Sequence, residues 1–286
     1  MLQSMTGFGN ASIESELGKI SLDVKSLNSK NLDLHYNLNP IFRNLEIEIR
    51  SILTNLLRRG KVDLKINLKI SGNNFNSNLN HDVIKTYIIE LKKLATASDS
   101  EFLKIAVSLP NSIENNRPNL DQKLSVSIIQ LVKDAVKELI DFRIQEGNSL
   151  QKDLLNNVGL IQEKLEKIEK LAPERIELVK ERIKKSLNDL KIDLDLNRFE
   201  QELIYHLEKL DINEEVVRLK NHLIFFKKTI NDKQIEKGKK LSFISQEMGR
   251  EINTIGSKSN YLLMQQVVVE MKNELEKIKE QLLNVL

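Results

Sequence analysis

Apolar and polar positions change their rhythm once along the chain, and that change divides it. Residues 4–71 alternate in the manner of strands. Ile20, Leu22 and Val24 are apolar, with Ser21, Asp23 and Lys25 between them, which puts one face of a strand in a core and the other in solvent. The segment before them, ASIESEL, runs into Gly18 and predicts a hairpin turning near Leu17–Lys19. Asn28–Lys30 break the phase, so LDLHYNL reads as a separate third strand carrying Leu32, Leu34 and Tyr36. Pro40 suits the first turn of a helix, and Ile41, Leu45, Ile49, Ile52 and Leu56 follow at helical steps. Arg58-Arg59-Gly60-Lys61 closes that helix, with Gly60 as a left-handed cap. In KVDLKINLKI, Val62, Leu64, Ile66, Leu68 and Ile70 share a face. The expectation is an α+β unit, a small antiparallel sheet with one packed helix.

The polar run SGNNFNSNLN, residues 71–80, is a loop. Beyond it the period is helical. Residues 81–97 read as one amphipathic helix, followed by a loop containing Pro110 and Pro118. From about Ser125 the steps of three and four persist through Leu150, Leu154, Val158, Ile161, Leu165 and Ile168, as in a coiled-coil seam. Pro173 starts a further helix with Ile176, Val179 and Ile183 inward. This predicts an N-terminal α+β domain over 1–120 and a long-helix, coiled-coil-like region over 121–286. Stripes this narrow need a partner, within the chain or from another copy.

Composition narrows the chemistry. The 286 residues contain no cysteine, which removes disulfides, zinc thiolates and thiol nucleophiles together. Four histidines and many carboxylates remain, favouring magnesium or manganese over structural zinc. The formal charge is +3, tryptophan is absent and aromatics are 5%. Any grip on RNA is therefore expected to rest on phosphate contacts. MLQSMTGFGN lacks the pattern of a secretory signal, and no run reaches the ~20 apolar residues of a membrane span, so a cytoplasmic location without membrane contact is expected.

Two stretches gather groups capable of chemistry. In 197–226, Glu214, Arg218 and His222 are four apart, Glu215 lies three before Arg218, and Glu200, Glu202, His206 and Asp211 precede them. Carboxylates and a histidine on one stripe could hold a divalent ion or move a proton. In 238–260, Leu241, Ile244, Met248, Ile252 and Ile255 form an apolar face, and Glu247, Arg250, Glu251, Thr254 and Lys258 the opposite one. Carboxylates at i and i+4 lie about 6 Å apart, close enough to share a metal ion or its waters. Arg250 and Lys258 could take phosphate oxygens, while Asn253, Thr254 and Ser257 add neutral hydrogen bonds. The plain alternative for both stretches is an ion-paired, solvated helix face. Gly249 and Gly256 are odd for such a face, because glycine costs roughly 1 kcal/mol against alanine inside a helix. A close approach by another group would explain them. Basic clusters occur at Arg58, Arg59 and Lys61 and at Lys237, Lys239 and Lys240, with Lys227 and Lys228 nearby. No P-loop, dinucleotide motif, zinc pattern or nucleophile elbow is present.

Several blocks resemble the YicC/YloC family. They are SMTGFGNA, SLNSKNLDLHYNL and RRGKVDLKINL, then RIQEGNSLQKDL with Arg143, Glu146, Gly147, Leu150 and Asp153, then NRFEQEL, DINEEVVRLKNHL and GKKLSFISQEMGREINTIGSKSN. The chain departs from the family pattern at Lys30 and Lys239, where arginine is usual, and in its final KEQLLNVL. Lysine keeps the charge and loses the bidentate fork. The resemblance implies a divalent-metal-dependent endoribonuclease linked to stress responses and small-RNA decay. It also implies a hexamer with a ring of N-terminal domains and helical parts closing over RNA. Expected partners are RNA, further copies of the chain and other RNA-decay enzymes. The expected catalytic residues are Glu247, Glu251, Arg250, His222 and Lys258, and the expected metal set is Glu214, Glu215, Glu247, Glu251 and His222. The expected RNA contacts are Arg58, Arg59, Lys61, Lys239, Lys240, Asn253, Thr254 and Ser257. Two cleavage routes stay open: metal-activated water, or attack by the RNA 2′-hydroxyl with His222 or His206 as base. A non-catalytic RNA clamp or decay adaptor is the alternative function.

Overall fold

The structure, a computed structural model, describes residues 2–15, 17–69, 77–115, 121–190 and 196–286. The predicted positions Ile70 and Pro118, and the side chain of Glu200, lie outside what is described. The fold is α+β, as the change of rhythm predicts, and it divides into two units. One holds 8–26 and 32–139, the other 1–7, 27–31 and 140–286.

The first unit is built on a four-stranded sheet. Its strands are β1 (Gly7–Ser15), β2 (Gly18–Leu27), β3 (Leu32–Leu38) and β4 (Gly60–Lys69), in the order β1-β2-β4-β3. Ile20, Leu22 and Val24 of β2 and Val62, Leu64 and Ile66 of β4 are buried, as alternation requires. The sheet is not wholly antiparallel: β3 and β4 run parallel, with Leu34 opposite Val62 and Leu38 opposite Ile66. A 3₁₀ turn at Pro40–Leu45 and helix α1 (Glu46–Leu56) carry the chain from β3 to β4, and a crossover of that length is what a parallel pair needs. Asn39 caps the 3₁₀ turn through its side-chain oxygen, with Pro40 in first position. The buried stripe is Phe42, Leu45, Ile49, Leu53 and Leu57. Leu45 and Ile49 are as predicted, while Phe42, Leu53 and Leu57 are buried in place of Ile41, Ile52 and Leu56, and Leu56 is exposed. Gly60 has the expected positive φ, 122°, but it opens β4 rather than capping α1.

Two short strands, β5 (Ser77–Leu79) and β6 (Ile113–Asn115), pair antiparallel around α2 (His81–Leu94) and α3 (Asp99–Ser108). Helix α3 stands where a loop is expected. Its start is fixed by a capping box in which Ser98 and Glu101 satisfy each other's backbone N–H groups.

Helix α4 (Gln122–Leu190) is continuous through Pro173, contrary to the predicted new start there. Its later part belongs to the second unit with α5 (Leu196–Leu210), α6 (Asn213–Ile230), α7 (Gly238–Lys258) and α8 (Leu262–Leu282). The core of this unit joins Leu154, Val158, Ile161, Leu165 and Ile168 of α4 to the inward faces of α6, α7 and α8. Leu2 is fully buried in the same core. The segment after it is held by three partners: Ser4 N–H donates to Arg143 O, Thr6 Oγ1 donates to Glu146 Oε2, and Met5 N–H donates to Asn284 O. Arg143 is buried and donates through Nη2 to Met5 O, and that burial lowers its pKa to about 10. Among the described residues, no helix is long and apolar enough to cross a membrane.

Candidate active site

The α6–α7 pair is antiparallel. A short connection joins the end of α6 to the start of α7, and Lys258 at the far end of α7 reaches back to the start of α6. The apolar stripe Val216, Leu219, Leu223, Phe226 faces Leu241, Ile244, Met248, Ile252 and Ile255, which seals the seam. Polar groups therefore sit at the seam's edges and on its outer faces.

At one end of the seam Lys258 Nζ lies 2.7 Å from Glu215 Oε1 and 2.9 Å from Asp211 O. Glu215 is buried, and its second oxygen has no hydrogen-bond partner among the described residues. Beneath this pair lies Arg175 of α4. It is only 2% exposed and donates to Lys258 O at 3.0 Å and Leu210 O at 2.6 Å. Desolvation lowers its pKa, partly opposed by the Asp211 charge. Arg175 thus ties α4 to the α5–α6 junction and to the end of α7. The only trace of this role in the sequence is an arginine on an otherwise apolar stripe, four residues from Leu171 and Val179.

The other predicted residues fall in several different settings. Glu214 is exposed and ion-paired with Arg218, while Glu247 is ion-paired with Arg250 at 2.9 Å. Glu251 is buried at the flank of α7 rather than on its solvated face. His222 is half-buried on α6. The hydroxyls of Thr254 and Ser257 bond back to Arg250 O and Thr254 O on their own helix, and Asn253 is exposed. Lys239 and Lys240 are exposed, with Lys240 Nζ 5.0 Å above the Phe225 ring. Lys237 is a buried structural group, its ammonium donating to Ile230 O. Arg58, Arg59 and Lys61 sit at the start of β4 in the sheet unit, Lys61 in register with Asp33. His206 is exposed on α5.

The close approach predicted for Gly249 and Gly256 is to α8. A Cβ at Gly256 would lie 3.0 Å from Val268 Cγ1, and one at Gly249 would lie 3.2 Å from Leu275 Cδ2. These glycines let α8 pack behind α7 and leave the opposite face of α7 open.

Among the described residues, no three His, Asp or Glu side chains are grouped to hold a metal. Glu214, Glu215 and Glu247 each already face a cation. This donor set does not fit a closed cage such as structural zinc. A hard ion of the magnesium type asks for less, one or two carboxylates, with water and substrate phosphate completing its shell.

Fold and site together define an α+β protein in which carboxylates and cations alternate along the open face of a helix pair, an arrangement suited to a phosphate-bearing ligand. The chain belongs to the YicC-like endoribonuclease family: residues 2–152 match the model of the N-terminal region and residues 168–286 that of the C-terminal part. Two relatives are each named "Probable endoribonuclease YicC". The one from Clostridioides difficile is 34% identical over 295 residues, and the one from Haemophilus influenzae 29% over 290 residues. In both cases the match covers all of this chain and all of the relative.

Proposed function

We propose that this chain is an endoribonuclease that cuts RNA phosphodiester bonds on the open face of α6 and α7, acting as an oligomer in stress or small-RNA decay. The observation that carries the reading is the family match over both halves of the chain. The α6–α7 pair supports its location. Arg250 is three-quarters exposed at its side chain and offers a planar fork to a phosphate oxygen. Glu251, four residues after Glu247 on the same helix, is buried and forms no ion pair among the described residues. A divalent ion, Mg or Mn, belongs to this proposal; Glu251 and Glu247 would supply one or two carboxylates to it, with water and substrate phosphate completing its shell, and when bound it supplies positive charge at the phosphate and acidifies water. Arg250 binds and orients the phosphate and stabilises the charge that develops on it. Lys258, anchored by Glu215 and Arg175, fixes the end of α7 on which Arg250 and Glu251 stand. His222 would take a proton from an attacking hydroxyl.

Exposed apolar side chains support assembly. Ile47 is 85% exposed and Leu94 83%, on surfaces that a second copy would cover. A hexamer would have a mass near six times 33.0 kDa by light scattering. A second reading, a non-catalytic RNA clamp, draws on the ion pairs of Glu214, Glu215 and Glu247, since a carboxylate engaged by a cation braces a helix pair as well as it serves chemistry. Incubating the purified protein with a short hairpin RNA, with and without EDTA, separates the two. Cleavage abolished by EDTA supports the metal-dependent nuclease, whereas intact RNA in both arms leaves the clamp.

A further inference from the structure

The open stripe of α7 does not consist only of charges. Phe243 stands on it, one turn after Lys239 and Lys240 and one turn before Glu247, and its side chain is 62% exposed. A phenylalanine so placed gains nothing from the core, which α7 fills with Leu241, Ile244 and Met248. A second exposed ring stands on α6. Phe225 is 43% exposed, and Lys240, three residues before Phe243 on α7, carries its Nζ 5.0 Å above that ring, so this lysine links the aromatics of the two helices. Lys228, a turn beyond Ile224, extends the patch along α6. Lys228, Lys239 and Lys240 form no ion pair among the described residues.

We propose that Phe243 and Phe225 form a base-stacking subsite for unpaired nucleotides of RNA, with Lys239, Lys240 and Lys228 taking the flanking phosphates. Stacking on an aromatic ring is available to every base once it is unpaired, and cations beside the ring hold the backbone. Charge complementarity selects this occupant over a second copy of the chain. A symmetric contact across this patch would bring the three lysines of one copy against those of the other, whereas a polyanion neutralises them. A base seated on Phe243 leaves its backbone beside Glu247 and Arg250, so the subsite selects single-stranded segments for the face where cutting is proposed. The inference rests on the proposed function for that last step alone; the binding step is independent of it.

The test compares an unpaired adenosine oligonucleotide, the same oligonucleotide carrying abasic positions, and a blunt RNA duplex, by fluorescence anisotropy on the full chain. Phe243→Ala and Phe225→Ala are expected to weaken binding of the unpaired oligonucleotide roughly tenfold each. Both should leave the duplex unchanged, and Phe243→Tyr should keep the wild-type affinity. The abasic probe should bind wild type and Phe243→Ala alike. Equal weakening for single strand and duplex, or no weakening at all, overturns the proposal. So does a fall in oligomer mass in Phe243→Ala by light scattering, which would assign the patch to a second copy. A wild-type protein that binds through Phe243 yet cuts nothing sinks only the proposed function; one that cuts and binds single strands regardless of Phe243 sinks only this inference.

Discussion

Lys258 and Glu215, 43 residues apart in sequence, meet at 2.7 Å across the end of the α6–α7 seam, with the Glu215 side chain 8% and the Lys258 side chain 31% exposed. Removing one partner of such a pair leaves the other charge largely out of water. Lys258→Met is expected to destabilise the helical unit by about 1–3 kcal/mol, less than a fully buried pair because the lysine is partly solvated. Glu215→Gln in the same background should recover part of that loss. Urea unfolding of the two single variants and the double variant reads the coupling; purely additive effects would show that the contact contributes nothing of its own.

Glycine at a helix interior is usually improved by alanine. At Gly256 the added methyl would meet Val268 Cγ1 at 3.0 Å, so the gain is expected to reverse. Gly256→Ala should lower stability by roughly 1 kcal/mol, and shortening the neighbour with Val268→Ala should relieve the clash. Thermal melts of the single and double variants check this. A more stable Gly256→Ala would mean that α8 has room to move away.

For cleavage, Glu251→Gln and Glu247→Gln are each expected to abolish product while RNA binding and oligomer mass stay at wild-type values. The ends of the product distinguish the routes. A 5′-phosphate is expected for attack by water, and a cyclic phosphate formed at full rate in EDTA would reject a metal requirement. In that case His222→Ala should be the more damaging variant, because a general base is then indispensable.

Arg58, Arg59 and Lys61 lie in the sheet unit, apart in sequence and in unit from α6 and α7. Replacing all three by alanine is expected to flatten the fall of log affinity with log salt, since each phosphate contact contributes nearly one unit of slope. An unchanged slope removes this cluster from the RNA path.

Acid should act through Glu270. Its carboxyl is held below the usual range by the Lys164 hydrogen bond and charge. A carboxyl whose pKa is lowered by folding adds stability above the unfolded value, and that contribution is lost as pH falls through the folded value. Lys164→Met is therefore expected to move the Glu270 titration back up and to flatten the acid limb of the stability profile. Carboxyl chemical shifts followed by NMR read it directly; a Glu270 titration identical in both proteins would show that the pair is without effect.

Alternation made β1 to β4 legible, because a buried sheet face writes itself into every second residue. The parallel pairing of β3 with β4 was not legible, since direction depends on where the chain goes between Leu38 and Gly60 rather than on either strand. Helix α3 announces itself only through the Ser98–Glu101 capping box, its buried face being reduced to Phe102 and Ala106. At the site, the i, i+4 spacing brought Glu247 and Glu251 onto one helix, but it could not show that Glu251 is buried while Glu247 pairs with Arg250. Arg175 was hidden for a related reason. Its burial comes from carbonyls at Leu210 and Lys258, distant in sequence, and Pro173 beside it reads as a boundary although α4 runs on.

The strap formed by residues 2–6 has a consequence for how the chain is made. Ser4 Oγ donates to Asn284 O across 280 positions of sequence, and Leu286 N–H donates to Gln3 O. Leu2 is synthesised long before α8, yet both belong to one core that cannot close until α8 emerges. Until then the early segment has its α4 anchors at Arg143 and Glu146 and nothing on its other side. Closing so long a loop is slow on the folding timescale. The helical unit should therefore acquire protease resistance only when synthesis has passed residue 282, while the sheet unit can do so well before.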